Sequence, residues 1–500
     1  MDSHMTQAFA KLLTKMRHSP NHISPSAYDT AWLAWLFPEA KDWIINTQHP
    51  DGSWGAEIEY YHDRVIATLA AVNAIAATSE NSHELKQVER GIQYLEKAIP
   101  RLPDDVYETV GFELLLPSLV EIGQNLGLKY ERIVQLIQPE LPKYHQKLAL
   151  IPPAMLYSRR TTIPYSLEFI GFNNLDHAAI ANLRAPNGGI HSSPSATAFV
   201  EVATNGSAGG QRYLRHILDS YNNTAPTLVP FETFEIVWSL YHIGLQQDLA
   251  ALTPEILPLI TTLENAWTDE GVGLSKGFVV DADDTALGFF ILTQFNIVPN
   301  PRIFEHYEVE DHFRCFSFER NISLDIHVHI VDTLKAMPDF PRRDEMLLKA
   351  LNTLGRYLTD DYIVDKWHIS PYYSTSHAII GLTGLSDNII QKQIKWLLNT
   401  QQANGSWTFY PHFPQAALEE TAYVLMALMT VYEKKGNIPF EVIERGFRYM
   451  EQNYRPAEKL PSLWISKVLY NPYHIVEAVL QSTMLKYQTL KKDAVLMPVA

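Results

Sequence analysis

The chain has 500 residues, and its 40 Lys+Arg against 56 Asp+Glu give a formal charge of −16, a poor match for nucleic acid. An apolar fraction of 46% with 19% charged residues excludes disordered and fibrous classes and leaves room for roughly two to four domains. A lone cysteine, Cys315, excludes an internal disulfide and multi-cysteine zinc clusters, and no apolar run nears the roughly 18 residues of a membrane span, so a reducing cytoplasm is the expected location.

Met1 to Met5 resembles a cloning remnant and carries no weight in the fold. The first predicted helix start is Asp29-Thr30-Ala31-Trp32; the same Thr-Ala step followed by helical apolar spacing returns at Thr197-Ala198-Phe199, Asp284-Thr285-Ala286-Leu287 and Glu420-Thr421-Ala422-Tyr423. Next comes Trp43-Ile-Ile-Asn-Thr-Gln-His-Pro-Asp-Gly-Ser-Trp54, which recurs as Trp396-Leu-Leu-Asn-Thr-Gln-Gln-Ala-Asn-Gly-Ser-Trp407 with seven of twelve positions identical. Each copy reads as a helix end, an Asp-Gly or Asn-Gly turn, and a Trp that packs the turn down. Apolar residues at three- and four-residue steps predict amphipathic helices over Arg64 to Ala77, Phe234 to Leu245, Asp284 to Phe295 and Phe440 to Tyr454. Strand-like alternation is scarce. The expected fold is all-α, built of helical hairpins and long enough for two barrels of paired helices. Gly-Ser-Trp turns by themselves suit a purely structural solenoid equally well.

Asp281-Ala282-Asp283-Asp284 follows the apolar approach Phe278-Val279-Val280 and opens a predicted helix, placing three carboxylates in four positions. One or two Asp there would be ordinary N-caps. Three are harder to explain, because like charges this close do not all ionise cheaply, and one that keeps its proton beside charged neighbours is a candidate Brønsted acid. The turn Gly and distal Glu of a calcium loop are missing.

These four residues resemble the Asp-x-Asp-Asp motif of class II diterpene cyclases, which protonate an alkene of geranylgeranyl diphosphate. Further segments similar to that family run along the chain: Ser24-Pro-Ser-Ala-Tyr-Asp-Thr-Ala-Trp32, Gly111-Phe-Glu113, Ile151-Pro152, Ser166-Leu-Glu168, Ser193-Pro-Ser-Ala-Thr-Ala-Phe199, Phe234-Glu-Ile-Val-Trp238, Asp365-Lys-Trp367 and Leu463-Trp-Ile-Ser-Lys467. The resemblance implies two (α/α) barrels in a βγ arrangement. The β domain would comprise residues 1–40 and 228–500, and the γ domain 41–227 would be inserted after the first β-domain helix.

It also implies roles. Asp283 would give the proton while Asp281 and Asp284 tune it, and His329 would bond the acid's other oxygen, whereas His327 is expected to be an ordinary core histidine. Lys147, Lys366 and Lys467 would meet the diphosphate, although Leu150 stands where plant members carry a basic residue before Ile-Pro. Asp104, Asp105, Glu108 and Glu113 fall where the family has an acidic Mg2+ motif. Trp367, Tyr372 and Tyr373 are candidate pocket aromatics. Tyr165 and Thr227 occupy the places of a plant His/Asn pair that positions a terminating water, so the expected product is a bicyclic diphosphate of copalyl type or a rearranged kolavenyl or halimadienyl type. A class I synthase or a phosphatase would consume it, and a homodimer is left open. A meroterpenoid or squalene-hopene-like cyclase, using the same acid on a substrate without a diphosphate, and a non-enzymatic helical toroid are the competing readings.

Overall fold

The computed structural model describes residues 3–79, 81–207, 209–246, 249–319, 322–456 and 458–496. They form two compact units, one comprising residues 1–22, 231–460 and 472–500, the other 23–230 and 461–471. No helix among the described residues is long and apolar enough to cross a membrane.

In the first unit six helices close a ring: α1 (Glu232–Gly244), α2 (Ala282–Gln294), α3 (Leu324–Ala336), α4 (Pro371–Leu382), α5 (Ala417–Lys435) and α6 (Tyr473–Leu496), each packed on the next and α6 on α1. Residues at similar depths from their helix starts meet across the ring. Ser374 Oγ donates to Asp325 Oδ2 near the starts of α4 and α3, and Lys335 Nζ to the Gly381 carbonyl near their ends. Helices α3 and α4 therefore run parallel, with their N-termini side by side. Every residue of α4 is buried, as befits a helix enclosed on all sides, whereas the outer helix Phe440–Asn453 buries only a stripe that includes Ile443, Phe447 and Met450.

The second unit closes a smaller ring from helices Ala27–Ala34, Tyr61–Thr78 and Phe112–Asn125, the 3₁₀ segment Ile163–Ile170 and helix Pro194–Ala203. Its two-stranded hairpin, Trp464–Ile465 with Leu469–Tyr470, has no precursor in the sequence reading. Leu469 N donates to Asp63 Oδ1 and Val110 N to the Ser466 carbonyl, which draws residues 461–471 into this unit from far along the chain.

The expected domain limits are corrected on two counts. Residues 23–40 join the second unit, because helix Ala27–Ala34 is part of its inner wall, and so does the hairpin segment within the expected β domain. The first helix, Ser3–His18, belongs to the first unit.

The sequence repeat is also a repeat of geometry within each unit. Trp54 Nε1 donates to the Ile44 carbonyl at 2.7 Å and its N–H to Thr68 Oγ1 at 3.0 Å; Trp407 bonds the Leu397 carbonyl and Thr421 Oγ1 at the same distances. Gly52 and Gly405 take φ of 99° and 93°, and a Cβ on either would lie within 2.6 Å of a carbonyl oxygen, of Arg90 or of Arg445. Glycine is required at this turn both by φ and by the close approach.

Candidate active site

The acidic turn is pinned before it can do chemistry. Asp281 is the N-cap of α2, its Oδ1 accepting from Asp284 N at 2.8 Å, and Ala282 N donates to the Cys315 carbonyl. Capping thus accounts for Asp281, as a single Asp at such a position would suggest. It does not account for the other two. Asp284 Oδ1 accepts from Trp238 Nε1 on α1 at 3.2 Å, and Asp283 Oδ1 lies 2.6 Å from His329 Nδ1 on α3. His329 is fully buried, while the Asp283 side chain keeps 12% of its surface, so its second oxygen is the one left to meet a substrate.

Burial and the neighbouring Asp283 carboxylate push Asp284 up to about 8, and burial together with Asp284 raises Asp281 well above the carboxylate range. Asp284 therefore holds its proton at neutral pH, and Asp281 is shifted in the same direction. The folded state binds a proton at Asp284 that the unfolded chain has released, so its contribution to stability is complete below about pH 4 and is lost as pH climbs toward about 8. Asp284→Asn is expected to flatten that slope: thermal melts across the window should show its stability falling less with pH than the wild type's. Parallel slopes would refute the protonated Asp284.

Around the acid the ring is aromatic. Trp238 meets His329 edge-on at 4.8 Å, Tyr373 lies 6.3 Å from Trp238, and Tyr423 stands edge-on to Tyr373 at 5.1 Å. Tyr372 is directed elsewhere. Adjacent helical positions point about 100° apart, and its ring stacks on Trp396 of the outer helix Gln391–Asn399 at 4.6 Å, which corrects its expected place in the pocket. Trp367 packs under Lys366, whose Nζ lies 4.8 Å from the ring centroid.

Lys366 is ion-paired with Glu319 and keeps a quarter of its side chain exposed. Burial works against its charge, but Cys315, Glu319 and Asp365 outweigh this and raise its pKa. Asp365 Oδ2 accepts from Ser323 Oγ and Leu324 N, supplying the N-terminal bond that Ser323 itself does not make for α3. Asp325, in the first turn of α3, accepts from Ser374 Oγ at 3.0 Å, and burial raises both carboxyls. His327 is a satisfied core residue: its Nε2 accepts from Phe313 N and its Nδ1 faces the Ser323 carbonyl.

The other expected residues stand in the second unit. Lys467 is fully buried, its ammonium bonded to Glu168 Oε1 and the Tyr165 carbonyl at 2.9 Å, to Ser193 Oγ at 2.7 Å, and to Ser195 Oγ. Its charge is committed to that network, which corrects its expected role as a phosphate ligand. Lys147 is half exposed and paired with Glu113. Tyr165 and Thr227 do meet. The Tyr165 hydroxyl lies 2.8 Å from the Thr227 carbonyl, 3.2 Å from its Oγ1 and 2.6 Å from Ser466 Oγ, and burial raises its pKa.

The four acidic residues expected to hold Mg2+ do not assemble. Asp104 pairs with Arg101, Asp105 with His62 at 2.8 Å, Glu108 with Lys143 at 2.6 Å and Glu113 with Lys147. Each carboxylate faces its own basic side chain, and no group of three or more His, Cys, Asp or Glu among the described residues is arranged to hold a metal ion. The residues do not fit a shared Mg2+.

Trp238, Tyr241, His242, Asp325 and His377 were not singled out as site residues by sequence. The available signal was polar and aromatic side chains placed inside helices with no exposed face, Trp238 within a motif already marked.

No protein-family model matches the chain. The type B diterpene cyclase of Mycobacterium tuberculosis is 31% identical over 507 residues, spanning 96% of this chain and 98% of that protein. Peregrinol diphosphate synthase TPS1 of Vitex agnus-castus is 32% identical over 373 residues, 70% of this chain but only 46% of that protein, so the chain spans about half the length of this plant relative. Among solved structures, ent-copalyl diphosphate synthase from Streptomyces platensis superposes with a TM-score of 0.76 at 25% identity, over 97% of this chain and 99% of that one. A buried Asp-x-Asp-Asp turn with its middle carboxyl on an imidazole, in a chain that a diterpene cyclase matches almost from end to end, settles the assignment: the chain belongs to the class II diterpene cyclases.

Proposed function

We propose that this chain protonates the terminal alkene of geranylgeranyl diphosphate through Asp283 and closes two rings with the diphosphate retained. The observation that carries the reading is the 2.6 Å bond between Asp283 Oδ1 and His329 Nδ1, beside two carboxyls whose pKa values burial raises. Proton transfer forms a C–H bond at one alkene carbon and leaves a cation on the other. The next two alkenes capture it in turn, and the faces of Trp238, Tyr373 and Tyr423 stabilise the moving charge by cation–π attraction. A C–H proton is then lost to end the cascade. Lys366 and Lys147, both partly exposed, are the cations proposed to meet the diphosphate; Lys467 is not among them. The product, an allylic diphosphate, suits a class I synthase or a phosphatase as the next step.

The test is incubation with geranylgeranyl diphosphate, dephosphorylation and mass spectrometry, beside a parallel incubation with a geranylgeranylated aromatic. A bicyclic diterpenol from the first arm alone supports the reading. Cyclisation of the aromatic alone would replace it with the meroterpenoid one.

Termination is proposed to depend on the Tyr165–Thr227 contact. Neither side chain is a good base at neutral pH, so the cation is expected to survive long enough for hydride and methyl shifts toward a rearranged skeleton. Tyr165→His with Thr227→Asn should alter the product spectrum more than the rate of substrate consumption, adding copalyl-type or hydroxylated product. A single unchanged product at an unchanged rate would show that these positions do not end the cascade.

A further inference from the structure

Tyr165 and Thr227 are poor bases, so a rearranging cation has to lose its last proton elsewhere. Carbocation chemistry indicates the place. Protonation of the terminal alkene builds the first ring beside Asp283, ring closure moves the charge on into the second ring, and each 1,2-shift of hydride or methyl then carries it back by one carbon. The charge of a fully rearranged bicycle therefore returns toward the ring that formed beside the acid.

Helices α1 and α4 stand on opposite sides of the six-helix ring, so side chains that meet between them lie in its interior. His242 of α1 and His377 of α4 do so, with ring centroids 5.4 Å apart, and Trp238 of α1 lies 6.3 Å from both Tyr373 and His377 of α4. Tyr423 of α5 closes this group, 5.5 Å from His377. The group borders the acid directly: His329, bonded to Asp283, stands edge-on to His377 at 5.8 Å. His377 is thus one ring away from the residue that delivers the proton, among the faces proposed to stabilise the cation.

The tautomer of His377 follows from its other nitrogen. Nδ1 lies 3.0 Å from the Tyr373 carbonyl, an oxygen that only accepts, so Nδ1 carries the hydrogen and the neutral ring has its lone pair on Nε2. The side chain is buried at 1% exposure, and Nε2 meets no hydrogen-bond partner among the described residues. A buried acceptor in that state calls for an explanation. Burial and the neighbouring His329 hold the imidazole down at about 3, so at neutral pH it stays unprotonated although an acid is close by. A C–H bond beside a carbocation is acidic enough to protonate even so weak a base.

Resting on the cyclisation and rearrangement proposed above, we propose that His377 Nε2 is the base that ends the cascade. The C–H bond beside the final cationic carbon breaks, its electron pair becomes the new alkene of the product, and its proton forms an N–H bond at Nε2. The imidazolium so formed holds that proton weakly and gives it to water as the product leaves, while Nδ1 keeps its bond to the Tyr373 carbonyl. One proton enters the substrate from Asp283 and one leaves through His377.

The test reads the ratio of products from geranylgeranyl diphosphate after dephosphorylation, by gas chromatography and mass spectrometry. A ratio is internal to each preparation, so partial misfolding lowers the yield without moving it. In His377→Phe, which keeps an aromatic face but no lone pair, and in His377→Ala, the wild-type alkene is expected to fall at least about tenfold relative to double-bond isomers and alcohols. Imidazole added to His377→Ala should restore part of that share, whereas thiophene, similar in size but not basic, should not. An unchanged ratio in both variants, or a His377→Ala ratio that imidazole moves no further than thiophene does, would overturn the assignment. A wild-type product of unrearranged skeleton would overturn it too, because the charge then ends in the second ring, and would leave protonation by Asp283 standing. A wild-type enzyme that forms no cyclised product would overturn both.

Discussion

Asp283→Asn is expected to lower kcat by at least about a thousandfold without unfolding the first unit, because an amide retains the shape of the carboxyl but has no comparable proton to give. His329 Nδ1 would keep an oxygen acceptor in the amide, so circular dichroism and the melting temperature should stay close to wild type. Product formation from geranylgeranyl diphosphate, followed to many hours, measures the effect. Turnover within tenfold of wild type would remove Asp283 from its role and direct attention to Asp281 and Asp284, whose pKa values burial raises. Asp281 caps α2 and Asp284 bonds Trp238, so their substitution disturbs structure together with tuning, whereas the side-chain hydrogen bond of Asp283 is to His329.

Lys467→Met should act on stability before it acts on substrate. The ammonium is fully buried with Glu168, and removing it strands a carboxylate at 1% exposure, a change that typically costs about 3–5 kcal/mol. Denaturant titration should show a lower midpoint, and adding Glu168→Gln should restore much of it by removing the stranded charge. A Lys467→Met variant as stable as wild type with only a raised KM would return this residue to the diphosphate.

The same lysine shows where sequence reading is strong and where it stops. Lys467 was legible as a marked residue because it ends a motif, but its role depends on Glu168, Ser193 and Ser195, which lie about 270 to 300 positions away. Lys147 and Glu113, or Asp105 and His62, pose the same difficulty: a run of acidic residues reads as a metal site until the fold brings a basic partner to each.

The sequence by itself determined the all-helical class, the paired Gly-Ser-Trp turns and the run of three carboxylates at a helix start, because these depend on local spacing. A turn with Gly at positive φ, a helix cap and an Asp-x-Asp-Asp run are written within a few residues of themselves. The resemblance to a known family, rather than the apolar spacing around it, marked His329 as a partner of the acidic run, and the structure places its Nδ1 2.6 Å from Asp283 Oδ1. Only the tertiary structure decided that residues 23–40 and the hairpin at 464–470 join the second unit, and that Tyr372 stacks on Trp396 while Tyr373 lies beside Trp238. Those facts depend on which helices become neighbours when the ring closes, and closure is fixed by burial summed over hundreds of side chains rather than by any one segment's pattern.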